Sequence, residues 1–158
     1  MDKMDNGSTM RSGEPPWRHS CRMLLVDDNE PFRRSLLLIL REMPGLCISE
    51  QAADGLEAVQ KAESLKPDIV LLDIGLPKLN GLNTAELIRK CSPESKIVFL
   101  THETDPDVVK AALDTGALGY VHKQQTGTQL KAAVEAVLIG EQFVSPNLKL
   151  GFLNAFAV

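Results

Sequence analysis

Short apolar runs alternate with longer, helically periodic segments along most of the chain. The runs RMLLV, PDIVLLD and KIVFLT are too short for helices. Continuous apolar runs of this kind are typical of strands that are buried on both faces of a parallel sheet. LCISEQA alternates apolar and polar positions as a strand does, and ALGYVHK adds one more run. The pattern therefore predicts five strands.

Capping and turn residues predict an amphipathic helix after each strand. Four of the five helices are preceded by a residue whose side chain can cap them: Asn29, Asp54, Asp105 and Thr126. Gly140 ends the last helix. Five strands alternating with five helices imply right-handed crossovers. This is the α/β class, a doubly wound parallel sheet from about residue 22 to residue 140.

The composition is that of an ordinary single domain. Of the 158 residues, 44% are hydrophobic and 24% are charged, which suffices for one core. A net charge of −4 does not show the excess of positive charge that is typical of nucleic-acid-binding proteins. We therefore expect no direct nucleic-acid binding by this chain. Three cysteines far apart suit a reducing cytoplasm rather than a disulfide framework. No apolar stretch is long enough for a bilayer, so no membrane partner is expected.

Reactive side chains end four of the five predicted strands. They are Asp27 and Asp28 after the first strand, Asp73 after the third, Thr101 after the fourth and Lys123 after the fifth. The carboxyl ends of parallel strands lie along one edge, where such sheets bind ligands. If the first and third strands are neighbours, about 4.8 Å apart, their acids can reach one cation. Clustered carboxylates repel one another unless a cation neutralises them.

Oxygen ligands without Cys or His at metal spacing select Mg²⁺, or Mn²⁺, over zinc. With Mg²⁺, a Lys and a Thr nearby, one carboxylate could attack a phosphoryl group and form an aspartyl phosphate. Each residue alone has a structural explanation. Asp27 and Asp28 could be solvated acids at a helix N-terminus, and Asp73 could start a turn. The joint pattern favours the functional interpretation.

The segments LLVDDNE, PDIVLLDIGLPKLNG, IVFLT and GALGYVHK resemble the receiver domain of two-component response regulators. The resemblance covers roughly Met23 to Pro146. It implies a flavodoxin-like, five-stranded sheet in the order 2-1-3-4-5 with five helices. That order makes the first and third strands neighbours, as one shared cation requires.

The resemblance also implies a metal site. Asp73 corresponds to the phosphoacceptor and to one metal ligand, and Asp28 to the other carboxylate that binds Mg²⁺ directly. Asp27 would act through water. The remaining protein ligand would be the backbone carbonyl of Gly75, a position that tolerates glycine because no side chain is needed.

A switch and its partners follow from the same resemblance. Lys123 would pair with the phosphoryl oxygens, Thr101 would hydrogen-bond the new phosphate, and Tyr120 would turn inward behind it. A sensor histidine kinase would supply the phosphoryl group. The added charge biases a two-state loop, and the helix after the fourth strand, the fifth strand and the last helix would carry the change to a partner.

Two positions depart from the family pattern. Gln124 follows Lys123 where the family often has proline, so we expect a looser loop. His102 follows Thr101 where a small residue is frequent, and its bulk is expected to narrow access to the phosphoryl group. His102 has no metal-ligand spacing with His19 or His122, so a metal role is not expected.

The chain divides into three predicted parts. Residues 1–20 are polar and aperiodic, which predicts a disordered leader or an added remnant, and residues 21–140 form the receiver. Residues 141–158 are predicted to be a linker or tail without an output domain. GEQFVSPNL is similar to the receiver end of LuxR-type helix-turn-helix regulators, so DNA binding would need an output domain absent here.

The apolar LGFLNAFAV could fray or dock on a neighbouring chain. Leu37 and Leu38 make the first helix a candidate homodimer surface.

Three functions are weighed. The leading one is a cytoplasmic, phosphorylation-activated switch that promotes its own phosphorylation and dephosphorylation but turns over no small molecule. A phosphorylation-independent binding module is the alternative, and the intact set of acids, Thr101 and Lys123 argues against it. A phosphatase acting through an aspartate nucleophile would need a second acid two residues after Asp73, where this chain has Gly75.

Overall fold

The structure, a computed structural model, describes residues 21–156. The predicted leader, residues 1–20, lies outside the described residues. Strands and helices alternate in the order β1 (Cys21–Val26), α1 (Glu30–Leu40), β2 (Leu46–Ala52), α2 (Gly55–Leu65), β3 (Ile69–Leu72), α3 (Gly81–Cys91), β4 (Lys96–Thr101), α4 (Pro106–Asp114), β5 (Gly119–His122), α5 (Thr126–Leu138), β6 (Phe143–Val144) and α6 (Pro146–Phe156). A short 3-10 turn, Lys123–Gln125, connects β5 to α5.

The strands form one parallel sheet in the order β2-β1-β3-β4-β5-β6. The predicted order 2-1-3-4-5 is confirmed for the first five strands. The predicted numbers, five strands and five helices, are wrong because the segment after Gly140 adds β6 and α6. Strand β6 has two residues and pairs through Phe143 opposite Gly119 and Val144 opposite Tyr120. A strand that short has no periodicity to detect.

Each face of the sheet carries its own apolar core. Alternate residues of the central strands point to opposite faces, and Ile69 and Leu71 contribute to one core while Val70 and Leu72 contribute to the other. Helices α1 and α5 cover the first face, and α2, α3, α4 and α6 contribute buried residues to the second. Burying one such side chain stabilises the fold by roughly 1.5–3 kcal/mol. Helices on both faces leave the strand ends as the place for a site.

Side-chain caps fix where the helices begin. Asn29 accepts from the Phe32 N–H (3.0 Å), and Asp54 and Asp105 cap α2 and α4 as predicted. The predicted cap at Thr126 is wrong, because this residue is the first of α5 and its hydroxyl donates to the Lys123 carbonyl (3.1 Å). Among the described residues, no helix is long and apolar enough to cross a membrane.

Candidate functional site

The acids that follow β1 and β3 lie side by side at the carboxyl edge of the sheet. Val26 is opposite Leu72 in the parallel pair, and the Asp73 N–H donates to the Val26 carbonyl (3.1 Å), which extends the pairing to the aspartate. Carboxylate oxygens of Asp27, Asp28 and Asp73 all lie within 4.8 Å of one another. The structure therefore brings the predicted acidic cluster together, and its oxygen donors fit a divalent cation such as Mg²⁺.

The three acids differ in burial. Asp27 is 2% exposed and Asp73 is 7% exposed, whereas Asp28 faces solvent. Burial raises the pKa of the Asp73 carboxyl, the charge of Lys123 lowers it, and the charge of Asp27 raises it again. A cation bound at the cluster would oppose both causes that raise the pKa, because it favours charged carboxylates.

Lys123 bridges the two buried acids from the end of β5. Its Nζ lies 2.6 Å from Asp27 Oδ2 and 3.2 Å from Asp73 Oδ2. The same Nζ lies 4.7 Å from the centre of the Phe32 ring on α1, a cation–π contact. The ammonium offsets the free-energy cost of burying two carboxylates. It also lies next to the position of any group that would be bound to Asp73. The helical spacing of Phe32 did not signal this contact.

Thr101 and Tyr120 are linked through the backbone of Glu103. Thr101 ends β4 with a buried side chain, and its Oγ1 accepts from the Glu103 N–H (3.1 Å). Tyr120 is fully buried and donates its hydroxyl to the Glu103 carbonyl (2.9 Å). Burial raises the pKa of the Tyr120 phenol, so it stays a neutral donor. Tyr120 thus lies inward in this structure, and sequence analysis missed Glu103 because it acts through backbone atoms.

An open cavity of about 470 Å³ lies over the acidic cluster. Its lining comes from the loops after β1, β3, β4 and β5: Asp28, Asn29, Asp73, Ile74, Gly75, Thr101, His102, Glu103 and Lys123. The Gly75 N–H donates to Asp73 Oδ1 (3.3 Å). A Cβ at Gly75 would lie 4.0 Å from Asp73 Oδ2, an ordinary contact, so space does not require glycine there. The cavity therefore opens onto the carboxylates of Asp28 and Asp73 and the ammonium of Lys123.

Gly81 supports the Asp73 loop, a role beyond the predicted start of a helix. Its N–H donates to the Ile74 carbonyl (2.7 Å). A Cβ at Gly81 would collide with the Asp73 carbonyl oxygen and would lie 2.5 Å from the Ile74 Cα. The sequence signal is the Asn80-Gly81 pair, since Asn80 caps α3. The close approach of backbone to backbone requires glycine.

His102 lies at the cavity wall next to a second imidazole. It is exposed, and its ring centre lies 5.9 Å from that of His122 in an edge-on arrangement. The His122 Nδ1 accepts from the Gln124 N–H (3.2 Å) within the 3-10 turn that follows β5. Gln124 is therefore held by a local hydrogen bond, and His102 lines the cavity that also exposes Asp73.

Replacing His102 with Ala is expected to shorten the half-life of a phosphoryl group on Asp73 by about threefold, a barrier change below about 1 kcal/mol. The smaller side chain opens the cavity to water. The half-life is measured from the decay of the phosphorylated mass after the phosphodonor is removed. Thr128→Ala, at an exposed site on α5, is the control, and equal half-lives for wild type and His102→Ala would contradict the prediction.

Comparisons with known proteins agree with this geometry. The family described as the response regulator receiver domain matches residues 23–135. The chain is 34% identical over 128 residues to response regulator GacA of Pseudomonas viridiflava, covering 80% of this chain and 59% of that protein. It is 34% identical over 133 residues to transcriptional regulatory protein LnrK of Bacillus subtilis, covering 84% and 60%. The chain thus spans about three fifths of the length of these curated relatives.

A solved structure extends the likeness to the fold. A two-component response regulator of the LuxR family from Aurantimonas is 29% identical, with a TM-score of 0.82, and the match covers 86% of this chain and 97% of that one.

Proposed function

The chain belongs to the response regulator receiver domain family of two-component systems, and on this premise we propose that Asp73 accepts a phosphoryl group from a sensor histidine kinase. The observation that carries the proposal is the position of Asp73, which lies between an acidic cluster and the Lys123 ammonium, beneath an open cavity. The phosphorylated domain would change conformation and control a partner or output domain.

In the proposed reaction, an Asp73 carboxylate oxygen attacks the phosphorus atom of a phosphohistidine. A P–O bond forms as the P–N bond breaks, and the kinase imidazole leaves with the electron pair. Asp73 must be ionised to attack, and burial opposes this because it raises the pKa of the carboxyl. Lys123 favours the ionised form, and its ammonium also stabilises charge on the transferred oxygens.

A divalent cation, Mg²⁺ with Mn²⁺ as a substitute, neutralises charge on the transferring group when it is bound. We assign its protein ligands to the Asp28 and Asp73 carboxylates and the Gly75 backbone carbonyl. Asp27 would act through water. Two contacts support this indirect role, because Asp27 Oδ2 already faces Lys123 Nζ and Asp27 Oδ1 accepts from the Asn29 N–H (2.8 Å).

The proposed switch uses Thr101 and Tyr120. The Thr101 hydroxyl would donate to a phosphoryl oxygen on Asp73, and the inward Tyr120 would keep the Glu103 loop in place behind it. Their shared contact with the Glu103 backbone supports this assignment. The change would reach partners through α4, β5 and α5.

Further assignments concern the surroundings of the domain. We propose that it works in the cytoplasm with a sensor histidine kinase, and that α1, where Leu38 is 60% exposed, can form a homodimer surface. The Bacillus relative is named a transcriptional regulatory protein. By analogy the signal would serve transcription, with DNA contacted by an output domain outside this chain. The proposed boundaries are a leader at 1–20, a receiver at 21–140 and a tail at 141–158, whose β6 and α6 dock on the receiver.

Replacing Asp28 with Asn tests the metal-dependent reaction. At low millimolar Mg²⁺ we expect phosphorylation by acetyl phosphate to slow by at least about tenfold to a hundredfold, the usual scale for losing even an outer-shell partner of a metal ligand. Raising the Mg²⁺ concentration should recover part of the rate. The rate is measured by intact mass over time.

Glu30→Gln is the matched control, since Glu30 is an exposed acid nearby whose carboxylate pairs with Arg34 (2.6 Å). It should phosphorylate at the wild-type rate. A wild-type rate and Mg²⁺ dependence for Asp28→Asn would contradict the ligand assignment.

A further inference from the structure

Ser145 joins the last strand and helix to the edge of the proposed site. It is fully buried between β6 and α6. Its N–H donates to the Tyr120 carbonyl (2.9 Å), and its Oγ accepts from the His122 N–H (3.1 Å) and donates to Gln129 Oε1 (2.5 Å). Its own carbonyl accepts from the Lys149 N–H (2.8 Å), in the first turn of α6. One residue thus ties α6 to β5 and α5.

Hydrogen bonds joined through Tyr120 and Glu103 connect Ser145 to Thr101 at the cavity. The Ser145 N–H holds the Tyr120 carbonyl, and its Oγ holds the His122 N–H two residues further along β5. The Tyr120 hydroxyl holds the Glu103 carbonyl, and the Glu103 N–H holds Thr101 Oγ1. The position of the Thr101 hydroxyl and the docking of α6 therefore share the same backbone segments of β5 and of the loop after β4.

Apolar packing adds a second connection. Leu148, on the inner side of α6, is 6% exposed and belongs to the buried cluster that also contains Val109, Ala112 and Tyr120. Helix α6 contacts α4, so the docked helix covers part of α4, whereas Leu150 and Leu153 face outward. Displacing Tyr120 would disturb both the hydrogen bonds and the apolar contacts that hold α6.

We infer that Ser145 is the positioning residue through which the state of the Asp73 site is coupled to the docking of β6 and α6. The inference rests on the proposed function and adds a regulatory output to it. In the structure an inward Tyr120 occurs together with a docked α6. The coupling is therefore positive: an interaction that keeps Tyr120 inward also favours the docking of α6. A phosphoryl group that engages Thr101 stabilises this arrangement, and the docked helix in turn favours the phosphorylated state, because such coupling is reciprocal.

Amide hydrogen exchange, followed by NMR with and without beryllofluoride and Mg²⁺ as a phosphoryl mimic, tests the coupling. In the wild type, exchange of the Ser145 and Lys149 amides should slow by at least about fivefold when the mimic binds, the lower end of typical coupling between sites. Ser145→Ala keeps the backbone bonds to Tyr120 and Lys149 but loses the Oγ contacts with the His122 N–H and Gln129. In this variant the slowing of exchange should fall below about twofold, and the mimic should still bind but with an affinity lower by the factor by which the coupling is reduced.

Gln129 variants keep the test independent of whether Ser145→Ala folds well. Gln129→Ala removes the acceptor of the Ser145 hydroxyl and should reduce the change in exchange, whereas Gln129→Glu keeps an acceptor and should retain it. Thr128→Ala, exposed on the same helix, should behave as wild type. The readout is the ligand-dependent change in exchange, which a purely structural role of Ser145 would leave intact.

Two results would overturn the inference in distinguishable ways. If the mimic binds the wild type but exchange at Ser145 and Lys149 does not slow, or slows equally in Ser145→Ala, the coupling is refuted and the proposed function stands. If the mimic does not bind the wild type in the presence of Mg²⁺, the proposed function fails and the coupling fails with it.

Discussion

Replacing Lys123 with Ala should lower the free energy of unfolding by about 3–5 kcal/mol in the absence of divalent cations, the range seen when one partner of a buried ion pair is removed. The side chains of Lys123, Asp27 and Asp73 are at most 9% exposed. Without the ammonium, two adjacent carboxylates remain buried and repel each other. Urea denaturation in EDTA measures the loss.

Mg²⁺ should restore part of the stability of Lys123→Ala, because a cation at the acidic cluster replaces the missing charge. Phosphorylation should not be restored, since the metal does not supply the ammonium beside the transferred oxygens. Lys131→Ala is the matched control: its Nζ pairs with Glu42 (2.6 Å), but both side chains are exposed, so stability should hardly change. A loss for Lys123→Ala in EDTA no larger than that of Lys131→Ala would refute the account of the buried pair.

Replacing Gly81 with Ala should lower the free energy of unfolding by about 1–3 kcal/mol, the usual cost of overpacking. The new Cβ would press on the backbone of Asp73 and Ile74, which cannot rotate away as a side chain can. The Asp73 carboxylate would shift, and phosphorylation should slow by about tenfold to a hundredfold, because small misplacements of reacting groups are costly. Urea denaturation and the rate of mass gain with acetyl phosphate measure the two effects.

Gly127→Ala provides the comparison for Gly81→Ala. A Cβ at Gly127, in the first turn of α5, would meet nothing within 4 Å. Alanine there should stabilise the fold by up to about 1 kcal/mol, because alanine favours helix more than glycine does, and the phosphorylation rate should not change. If Gly81→Ala behaves like Gly127→Ala in both measurements, the close contact does not position Asp73.

The sequence predicts most of the sheet because its strands are short, continuous apolar runs. Buried parallel strands need apolar residues on both faces, and β3 and β4 satisfy this almost throughout. The placement of Asp27, Asp73, Thr101 and Lys123 at strand ends follows from the same pattern, since parallel strands end at one edge. Their place along one edge could therefore be predicted from the pattern, whereas the adjacency of β1 and β3, which brings the acids together, is predicted only from the resemblance to receiver domains.

Features that depend on backbone contacts, or on residues far apart along the chain, leave no such pattern in the sequence. Strand β6 exists because the N–H groups of Phe143 and Ser145 donate to the carbonyls of Leu118 and Tyr120, so that Phe143 and Val144 pair with β5. Glu103 connects Thr101 to Tyr120 through its N–H and carbonyl, which any residue has. Phe32 occupies a helical position that suits a core residue, and its contact with Lys123 depends on how α1 and β5 are placed. Three-dimensional placement decides these features.

The central claim is that Asp73 is phosphorylated in a Mg²⁺-dependent reaction. Its most direct test is the intact mass of the protein after incubation with acetyl phosphate, with Mg²⁺ or with EDTA, beside an Asp73→Asn variant. We predict a gain of one phosphoryl group for the wild type with Mg²⁺ and none in EDTA or in Asp73→Asn. A folded wild type that gains no phosphoryl group with Mg²⁺, or an Asp73→Asn variant that gains one, would contradict the claim.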